Sequence, residues 1–462
     1  MRGLRSTLLL LAVLLATGGY AYYISKKPAE DSTSKQDKVF SNVQADKIDE
    51  IRVKSAGGDT TTLRKENGVW QIVDPIKARA DESEISGMTS ALANLNVVRV
   101  IDENPANLKD YGLAAPRIEV AFKTDADKTL AHTLMIGEKS PTGADLFAEQ
   151  QGKKRVFLIP AYQESSFNRS TFELRDKTVL KFERDKVDGI EVNAAGKPLQ
   201  FSKEGGDWKL KKPLEVRADF GAVEGLIGRL QTVQMKSIVT NEPSAADLKK
   251  YGLDKPAETV NLNLGSARAT LAIGGKADDN TVYARDTSKP VVMTVESSLA
   301  DELKKSADDY RRKDIFEFRP YNANRLEITR GGNTVVFEKV KGQGENAPDK
   351  WRRASPNAGD VDKDKMDSLL SRLSNMRASS FVESTAKTGL DAPAMTVAVK
   401  FDDGKKEERV TFGKNGDDAY AARPGEPGAA KIDNTDFSEA GKTLDELSKP
   451  AETPKKTDTQ KK

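Results

Sequence analysis

The sequence contains no cysteine and only one histidine, His132, in 462 residues. Disulfides, thiolate nucleophiles and cysteine-ligated metals are therefore excluded, and a Ser-His-Asp triad within one chain would have to use His132. An excess of one charge is missing as well, because 74 Lys and Arg residues stand against 71 Asp and Glu. A chain so balanced has no broad field to attract nucleic acid, and we predict no nucleic-acid partner.

The motifs of common enzymes are also missing. The sequence has no Walker-type phosphate loop, no Gly-x-Ser-x-Gly elbow and no His-Glu-x-x-His pair, and Gly331-Gly332-Asn333 is typical of a hairpin turn. We therefore predict a protein that is not an enzyme, with no catalytic residue, no cofactor and no metal site.

Long apolar runs are rare, and the clearest one covers residues 8–24 behind Arg2 and Arg5. Its 17 residues are at the short end of what spans a bilayer, and they predict a transmembrane anchor over residues 1–24. The alternative is a signal peptide cleaved near Ala16-Thr17-Gly18. The arginines favour an inner-membrane protein with one span and its bulk in the periplasm. Residues 25–39 are predicted to be a flexible linker, and residues 449–462 a disordered tail.

Three tryptophans mark a threefold internal repeat. Each begins the pattern Trp-x4-Pro-x5-Asp, which recurs at intervals of roughly 140 residues. The three copies begin at Trp70, Trp208 and Trp351. A helix-like apolar stripe follows each pattern, and its positions are Ile85, Met88, Leu92, Leu95; Val223, Leu226, Leu230, Val233; and Met366, Leu369, Leu373, Met376.

The repeated pattern predicts a folding unit. The tryptophan lies on the return strand of a hairpin, for which Asn67-Gly68 is the strongest signal, and the proline ends that strand. The aspartates Asp81, Asp219 and Asp362 are predicted to cap the following helix. We expect the tryptophans to be core anchors, although a ligand-stacking ladder is an alternative.

The rest of each copy is also repeated. Tyr111-Gly112-Leu113 and its counterparts at residues 251–253 and 388–390 predict a helix end, followed by alternating strands and a closing helix near residues 165–174, 299–310 and 436–447. We predict an α+β fold with three tandem homologous domains, mostly of antiparallel hairpins. Their predicted bounds are residues 40–179, 180–315 and 316–448, with almost no linker between them.

Several polar residues are candidates for chemistry. His132 is predicted to lie on a solvent-facing edge. Asp360, Asp362, Asp364 and Asp367 resemble a calcium loop, but Lys365 and Ser371 occupy the places of its required Gly and Glu. Acidic residues also recur just before the predicted strands that contain Phe147, Tyr283 and Tyr420. They could hold a cation or act as paired carboxylates, although turn formation explains them better. These residues are Asp145, Asp278-Asp279 and Asp417-Asp418.

With the repeats aligned, the chain resembles a bacterial family of repeat domains of unknown function. The matching residues are the three tryptophans, the Tyr-Gly-Leu segments with Pro116 and its counterparts, and Arg175-Asp176-Lys177 with Phe182. The resemblance implies a membrane-anchored, exported protein, often encoded beside gliding-motility-type ABC transporter genes. Copy three departs from the pattern at Thr388.

These observations leave three hypotheses. The first is a non-enzymatic scaffold or accessory protein anchored in the cytoplasmic membrane, with ABC-type transporter subunits as partners. The second is a module that binds a solute or a cell-envelope glycan between its domains. The third, an envelope hydrolase, requires two carboxylates about 5–10 Å apart in a cleft.

Overall fold

The threefold repeat of the sequence folds as three sheets of one topology. The computed structural model describes residues 37–342 and 348–449. Each sheet has nine strands, and neighbouring strands are antiparallel. Three tandem domains of the α+β class are thereby confirmed. The predicted anchor, most of the linker and the tail from residue 450 lie outside the described residues. Within the described ranges, no helix is both long and apolar enough to cross a membrane.

The described residues form two compact units, one that ends at Lys177 and one that starts at Thr178. The first unit holds the first sheet. The second unit holds the second and third sheets, so these two domains are packed as one body.

The first sheet has the strand order β4-β3-β2-β1-β6-β7-β8-β9-β5. Its strands are β1 (Ile48–Lys54), β2 (Thr60–Glu66), β3 (Val69–Asp74), β4 (Ala78–Arg79), β5 (Arg99–Asp102), β6 (Ile118–Thr124), β7 (His132–Lys139), β8 (Asp145–Gln150) and β9 (Val156–Pro160). Its helices are α1 (Glu82–Ala93), α2 (Glu164–Phe167) and α3 (Thr171–Leu174), with 3-10 turns at Ala45–Lys47, Leu108–Tyr111 and Ala161–Gln163.

The second sheet repeats this order from β10 to β18. Its strands are β10 (Gly189–Ala194), β11 (Lys197–Glu204), β12 (Asp207–Lys212), β13 (Val216–Arg217), β14 (Ser237–Thr240), β15 (Glu258–Leu264), β16 (Ala267–Lys276), β17 (Thr281–Asp286) and β18 (Val292–Glu296). Its helices are α4 (Phe220–Thr232), α5 (Ala245–Lys250), α6 (Ser297–Leu303) and α7 (Ala307–Tyr310), with a 3-10 turn at Arg184–Lys186.

The third sheet repeats it again from β19 to β27. Its strands are β19 (Ala323–Arg330), β20 (Asn333–Val340), β21 (Lys350–Ser355), β22 (Gly359–Asp360), β23 (Ala378–Val382), β24 (Met395–Phe401), β25 (Lys406–Asn415), β26 (Asp418–Ala422) and β27 (Ala429–Ile432). Its helices are α8 (Lys363–Asn375) and α9 (Asn434–Ser448).

The tryptophan hairpin forms as predicted. In the first copy Asn67 and Gly68 both have positive φ, 50° and 83°, which joins β2 and β3 through a turn that matches the twist of the strands. Strand β3 ends at Asp74, directly before Pro75, because proline has no N–H to donate to the next strand. The bond before this proline is cis, as it is before Pro213 and Pro356.

The predicted helix caps are confirmed in all three copies. The side chain of Asp81 accepts from the amides of Ser83 and Glu84, while Asp219 and Asp362 each accept from the amide three residues ahead. All twelve residues of the three apolar stripes are buried, so each stripe faces the core of its domain.

The prediction of a single closing helix is wrong for the first two copies. The structure breaks it in two, into α2 and α3 in the first copy and α6 and α7 in the second. Ser170 and Ser306 each start the second piece with a capping box, which satisfies the orphan amides of a new helix and so ends the previous one. Only the third copy has one continuous closing helix, α9.

Candidate functional site

A groove lies beside Trp208 in the second domain, between the hairpin of β12 and the start of α4. Its volume is 590 Å³, and its near wall includes Trp208, Arg217 and the exposed Phe220. The indole of Trp208 is only 2% exposed and donates from Nε1 to Oε1 of Glu224 at 3.0 Å. The far wall comes from the segment that leads into the third domain.

That lead-in segment is hydrogen-bonded to both of the domains it connects. Arg311 pairs with Ala218 beside β13, and the amide of Arg312 donates to the carbonyl of Arg217 at 3.0 Å. Further along, the amide of Ile315 donates to the carbonyl of Met376, 3.0 Å away, in front of β23. A short extended strand therefore links the second sheet to the third through backbone bonds.

Ion pairs reinforce this junction. Nε of Arg217 lies 2.6 Å from Oε1 of Glu426, and its Nη1 lies 3.2 Å from Oε1 of Glu317. Burial acts to raise the pKa of Glu317, but Arg312, Arg217 and Arg423 outweigh burial and lower that pKa. The Arg217–Glu317 ion pair is half-buried and its charged atoms lie close together, which makes it stronger than an ordinary surface ion pair.

Two further arginines are held at the same junction. Arg423 lies 2.8 Å from Glu408 and also donates to the carbonyl of Ile315. The guanidinium of Arg311 is 3.8 Å from the centre of the Phe381 ring, and burial lowers the pKa of this arginine. The Arg311 side chain of the second domain thus packs against β23, an edge strand of the third domain.

The third domain has a groove at the same place, which we name the Trp351 groove. Its volume is 790 Å³. Seven of its lining residues occupy the positions of groove residues in the second domain. They are Val340, Lys350, Trp351, Arg352, Asp360, Val361 and Lys363, in place of Glu204, Asp207, Trp208, Lys209, Arg217, Ala218 and Phe220.

The two grooves differ in what faces them. In the second domain the segment that leads into the third domain forms one wall of the groove, whereas the lining residues of the Trp351 groove all belong to the third domain. Trp351 is only partly buried, and Val340 is 45% exposed. The ammonium of Lys339 lies 5.7 Å from the centre of the Trp351 ring. The groove therefore presents an apolar floor between charged walls.

The burial of the three tryptophans tests the prediction that they are core anchors. Trp70 and Trp208 are buried core residues, as expected of anchors. Trp351 packs against the core of the third domain, but one part of it faces the groove. The core prediction is thus confirmed for two copies, and the third tryptophan packs on its core while also lining the groove.

His132 is not on an open edge, which corrects the sequence-based expectation. Its ring stacks on Phe122 with centroids 4.9 Å apart and meets Phe40 edge-on. Nε2 of His132 lies 3.3 Å from Oδ2 of Asp127, whose pKa is lowered by hydrogen bonds from Thr124. The ring is a packed, partly covered element of the first domain.

Four of the acidic candidates make local structural contacts. Asp278 accepts from the amides of Asn280 and Thr281 at 2.8 Å, as predicted for a turn residue, and Asp418 pairs with Lys431. Asp362 caps α8, and Asp360 pairs with Arg352 at 3.1 Å. In residues 37–342 and 348–449 there is no cluster of three or more acidic or histidine side chains placed to hold a metal ion.

Comparison with known proteins identifies the repeat. The family model described as "Domain of unknown function (DUF4340)" matches residues 70–210, 208–393 and 351–458. No curated protein matches the sequence. Among solved structures, a DnaN sliding clamp (DNA polymerase III subunit beta) from Pseudomonas aeruginosa bound to griselimycin aligns over 86% of this chain and 94% of the clamp. The identity is 6% and the TM-score 0.13, so the alignment carries no argument about fold or function.

Proposed function

Because the chain belongs to the DUF4340 family and carries its domain three times, we propose that it works as a non-enzymatic scaffold or accessory protein. Its partner would be a membrane complex, and subunits of an ABC-type transporter are our candidate. The proposal places the chain in the inner membrane through residues 1–24, with its domains in the periplasm.

One observation carries the scaffold proposal, namely the junction between the second and third domains. Inter-domain contacts in flexible multidomain proteins are small and polar, and relative motion is then the default. Here a hydrogen-bonded strand, the Arg217 ion pairs and the Arg311–Phe381 contact all cross one boundary. Such a junction fixes the positions of two surfaces, which is what a scaffold needs to present them to a partner.

The transporter part of the proposal rests on other grounds. The apolar run at residues 8–24 supports an anchor. The resemblance to exported repeat proteins encoded beside ABC transporter genes supports the choice of partner. The absence of Cys fits an oxidising compartment such as the periplasm.

Purification of the full chain from its native membranes in mild detergent tests the proposal. We expect transporter subunits to be retained in fixed stoichiometry, and recovery of the chain alone would contradict the scaffold function. The Arg217→Ala variant should retain less partner, because its two domains lose their fixed relation. Lys209→Ala is the matched control, since Lys209 lies in the same groove but pairs with Glu204 of its own domain.

A further inference from the structure

We propose that the Trp351 groove is the docking site for an extended, acidic segment of a partner protein, which adds as a strand to the outer edge of β22. The inference rests on the proposed scaffold function and deepens it by naming the surface and the chemistry of the partner. Three observations lead to it.

The first observation is that the equivalent strand edge in the second domain, the edge of β13, already carries polypeptide. There the segment that begins at Arg311 runs along β13, and Glu317 completes the groove from the far side. Within the first unit, Arg175 likewise pairs with Ala80 beside β4. In the first two copies this strand edge therefore receives an extended segment of the chain.

The second observation concerns the backbone atoms at the edge. In the second domain the carbonyl of Arg217 accepts from Arg312, and the amide of Asp219 donates to the carbonyl of Tyr310. The equivalent atoms in the third domain are the carbonyl of Asp360 and the amide of Asp362. For the part of the chain that the structure describes, no such backbone partner is seen for either of these two atoms. An open strand edge of this kind is a template for strand addition.

The third observation is the change in charge between the two grooves. Glu204 and Asp207 of the second domain are replaced by Val340 and Lys350 in the third. Cations outnumber carboxylates five to three in the Trp351 groove; they are Lys339, Lys341, Lys350, Arg352 and Lys363 against Asp349, Asp360 and Asp367. Because Arg352 already pairs with Asp360, the remaining cations favour an acidic ligand with an apolar side chain for Trp351.

The tail of the chain itself is the nearest competitor. Nη1 of Arg353 donates a hydrogen bond to the carbonyl of Lys449 at 3.1 Å. The chain therefore leaves α9 close to β21. The residues beyond carry four lysines but only Glu452 and Asp458 as acids, and Pro450 has no amide to donate. Charge therefore disfavours the tail and favours an acidic segment from another protein.

Selection from a random dodecapeptide phage library on the full chain tests the proposal. We expect the enriched peptides to be rich in Asp, Glu and β-branched residues. A synthetic copy of an enriched peptide should bind the Lys350→Glu/Arg352→Glu variant at least tenfold more weakly, and binding should weaken as salt is added. Lys209→Glu is the matched control in the groove of the second domain, where the edge of β13 already carries the segment from Arg311, and it should leave binding unchanged.

Other results would overturn the proposal. These are no enrichment over a blank surface, enrichment of basic peptides, or equal binding to the charge-reversed variant. Binding only to a chain that ends at Lys449 would assign the groove to the tail, and binding of a soluble glycan in place of peptides would assign it to sugars. The scaffold function can fail separately, because a chain that purifies without partners would contradict it, whereas a charge-reversed chain that keeps its partners would contradict only the groove.

Discussion

At the scale of single residues, one glycine in each copy stands where two backbone segments touch. A Cβ on Gly274 would lie 2.1 Å from the carbonyl oxygen of Tyr251, on the turn of the Tyr-Gly-Leu segment. Gly137 and Gly413 stand in the same relation to the equivalent turns. The sequence shows the Tyr-Gly-Leu turns, whose need for glycine is local. It does not show why Gly274 must be small, because the contact joins segments that are far apart in the chain.

The Gly274→Ala variant should destabilise the second domain by about 2–3 kcal/mol, since backbone must move to admit the methyl group. Gly225→Ala is the matched control, because Gly225 lies within α4 and an added Cβ meets nothing within 4 Å. That control should gain up to about 1 kcal/mol in helix propensity. Urea unfolding of the full chain, with hydrogen exchange followed in β15 and β16, measures both. Equal stability of the two variants would refute the close contact.

A buried carboxylate gives a second prediction at this scale. Glu149 is 8% exposed, burial raises its pKa, and its Oε2 has no hydrogen-bond partner among the described residues. A raised folded-state pKa means that this group costs stability as pH rises from its unfolded value of roughly 4.3 through the folded value. Glu149→Gln should therefore stabilise the first domain at pH 7 on the order of 1 kcal/mol and have little effect near pH 4.

Hydrogen exchange in β7 to β9 at the two pH values checks this prediction. Glu66→Gln, on the exposed end of β2, is the control and should change stability at neither pH. A stability gain in Glu149→Gln that is independent of pH would show that ionisation of Glu149 is not the cause.

At the scale of elements, the closing helix of the third copy depends on one arginine. Arg353 is buried on β21, where the second copy has Leu210, and its Nη1 donates to the carbonyls of Leu447, Ser448 and Lys449. In the other copies this position on the strand is apolar. The arginine therefore signals, in the sequence, that a hydrogen-bonding partner exists for it. It does not tell which partner, because the end of α9 comes from a distant part of the chain.

Arg353→Met should lower the stability of the third domain by about 2–3 kcal/mol, because the last carbonyls of α9 lose a charged donor in a buried place. The first effect should be faster hydrogen exchange at the C-terminal end of α9. Arg352→Met is the control one residue away, and its exposed ion pair with Asp360 should contribute less than about 1 kcal/mol. Unchanged exchange in α9 would contradict the capping role.

At the scale of the whole molecule, the repeat predicted the number of domains and the hairpins but not the edge strand that completes each sheet. The strand after the long helix pairs with the last strand of its copy, β5 with β9 for instance, at the edge opposite β4. Its short, mixed sequence does not specify the register of this pairing, so the sequence alone does not reveal it. The sequence did not predict the Trp351 groove for a related reason. The open edge of β22 is recognised only by comparison with β13, whose edge carries the segment from Arg311.

The junction between the second and third domains should respond to acid. Arg312, Arg217 and Arg423 overcome burial to lower the pKa of Glu317, so its charge stabilises the fold above the unfolded value of roughly 4.3. That contribution is lost as pH falls through the lower, folded value. The hydrogen-exchange protection factors of residues 313–318 should therefore fall in acid, before those of the cores of β10 to β12 fall.

Glu317→Gln separates this effect from general acid unfolding. At pH 7 the variant should already show faster exchange at residues 313–318, because Arg217 keeps only Glu426 as an ionic partner on the third domain. On acidification its junction should lose less protection than the wild type, since the introduced amide side chain has no charge to lose. If both proteins lose protection equally as the pH falls from neutral into the acid range, carboxylates other than Glu317 hold the two domains together, and the fixed junction that supports the scaffold function does not depend on this ion pair.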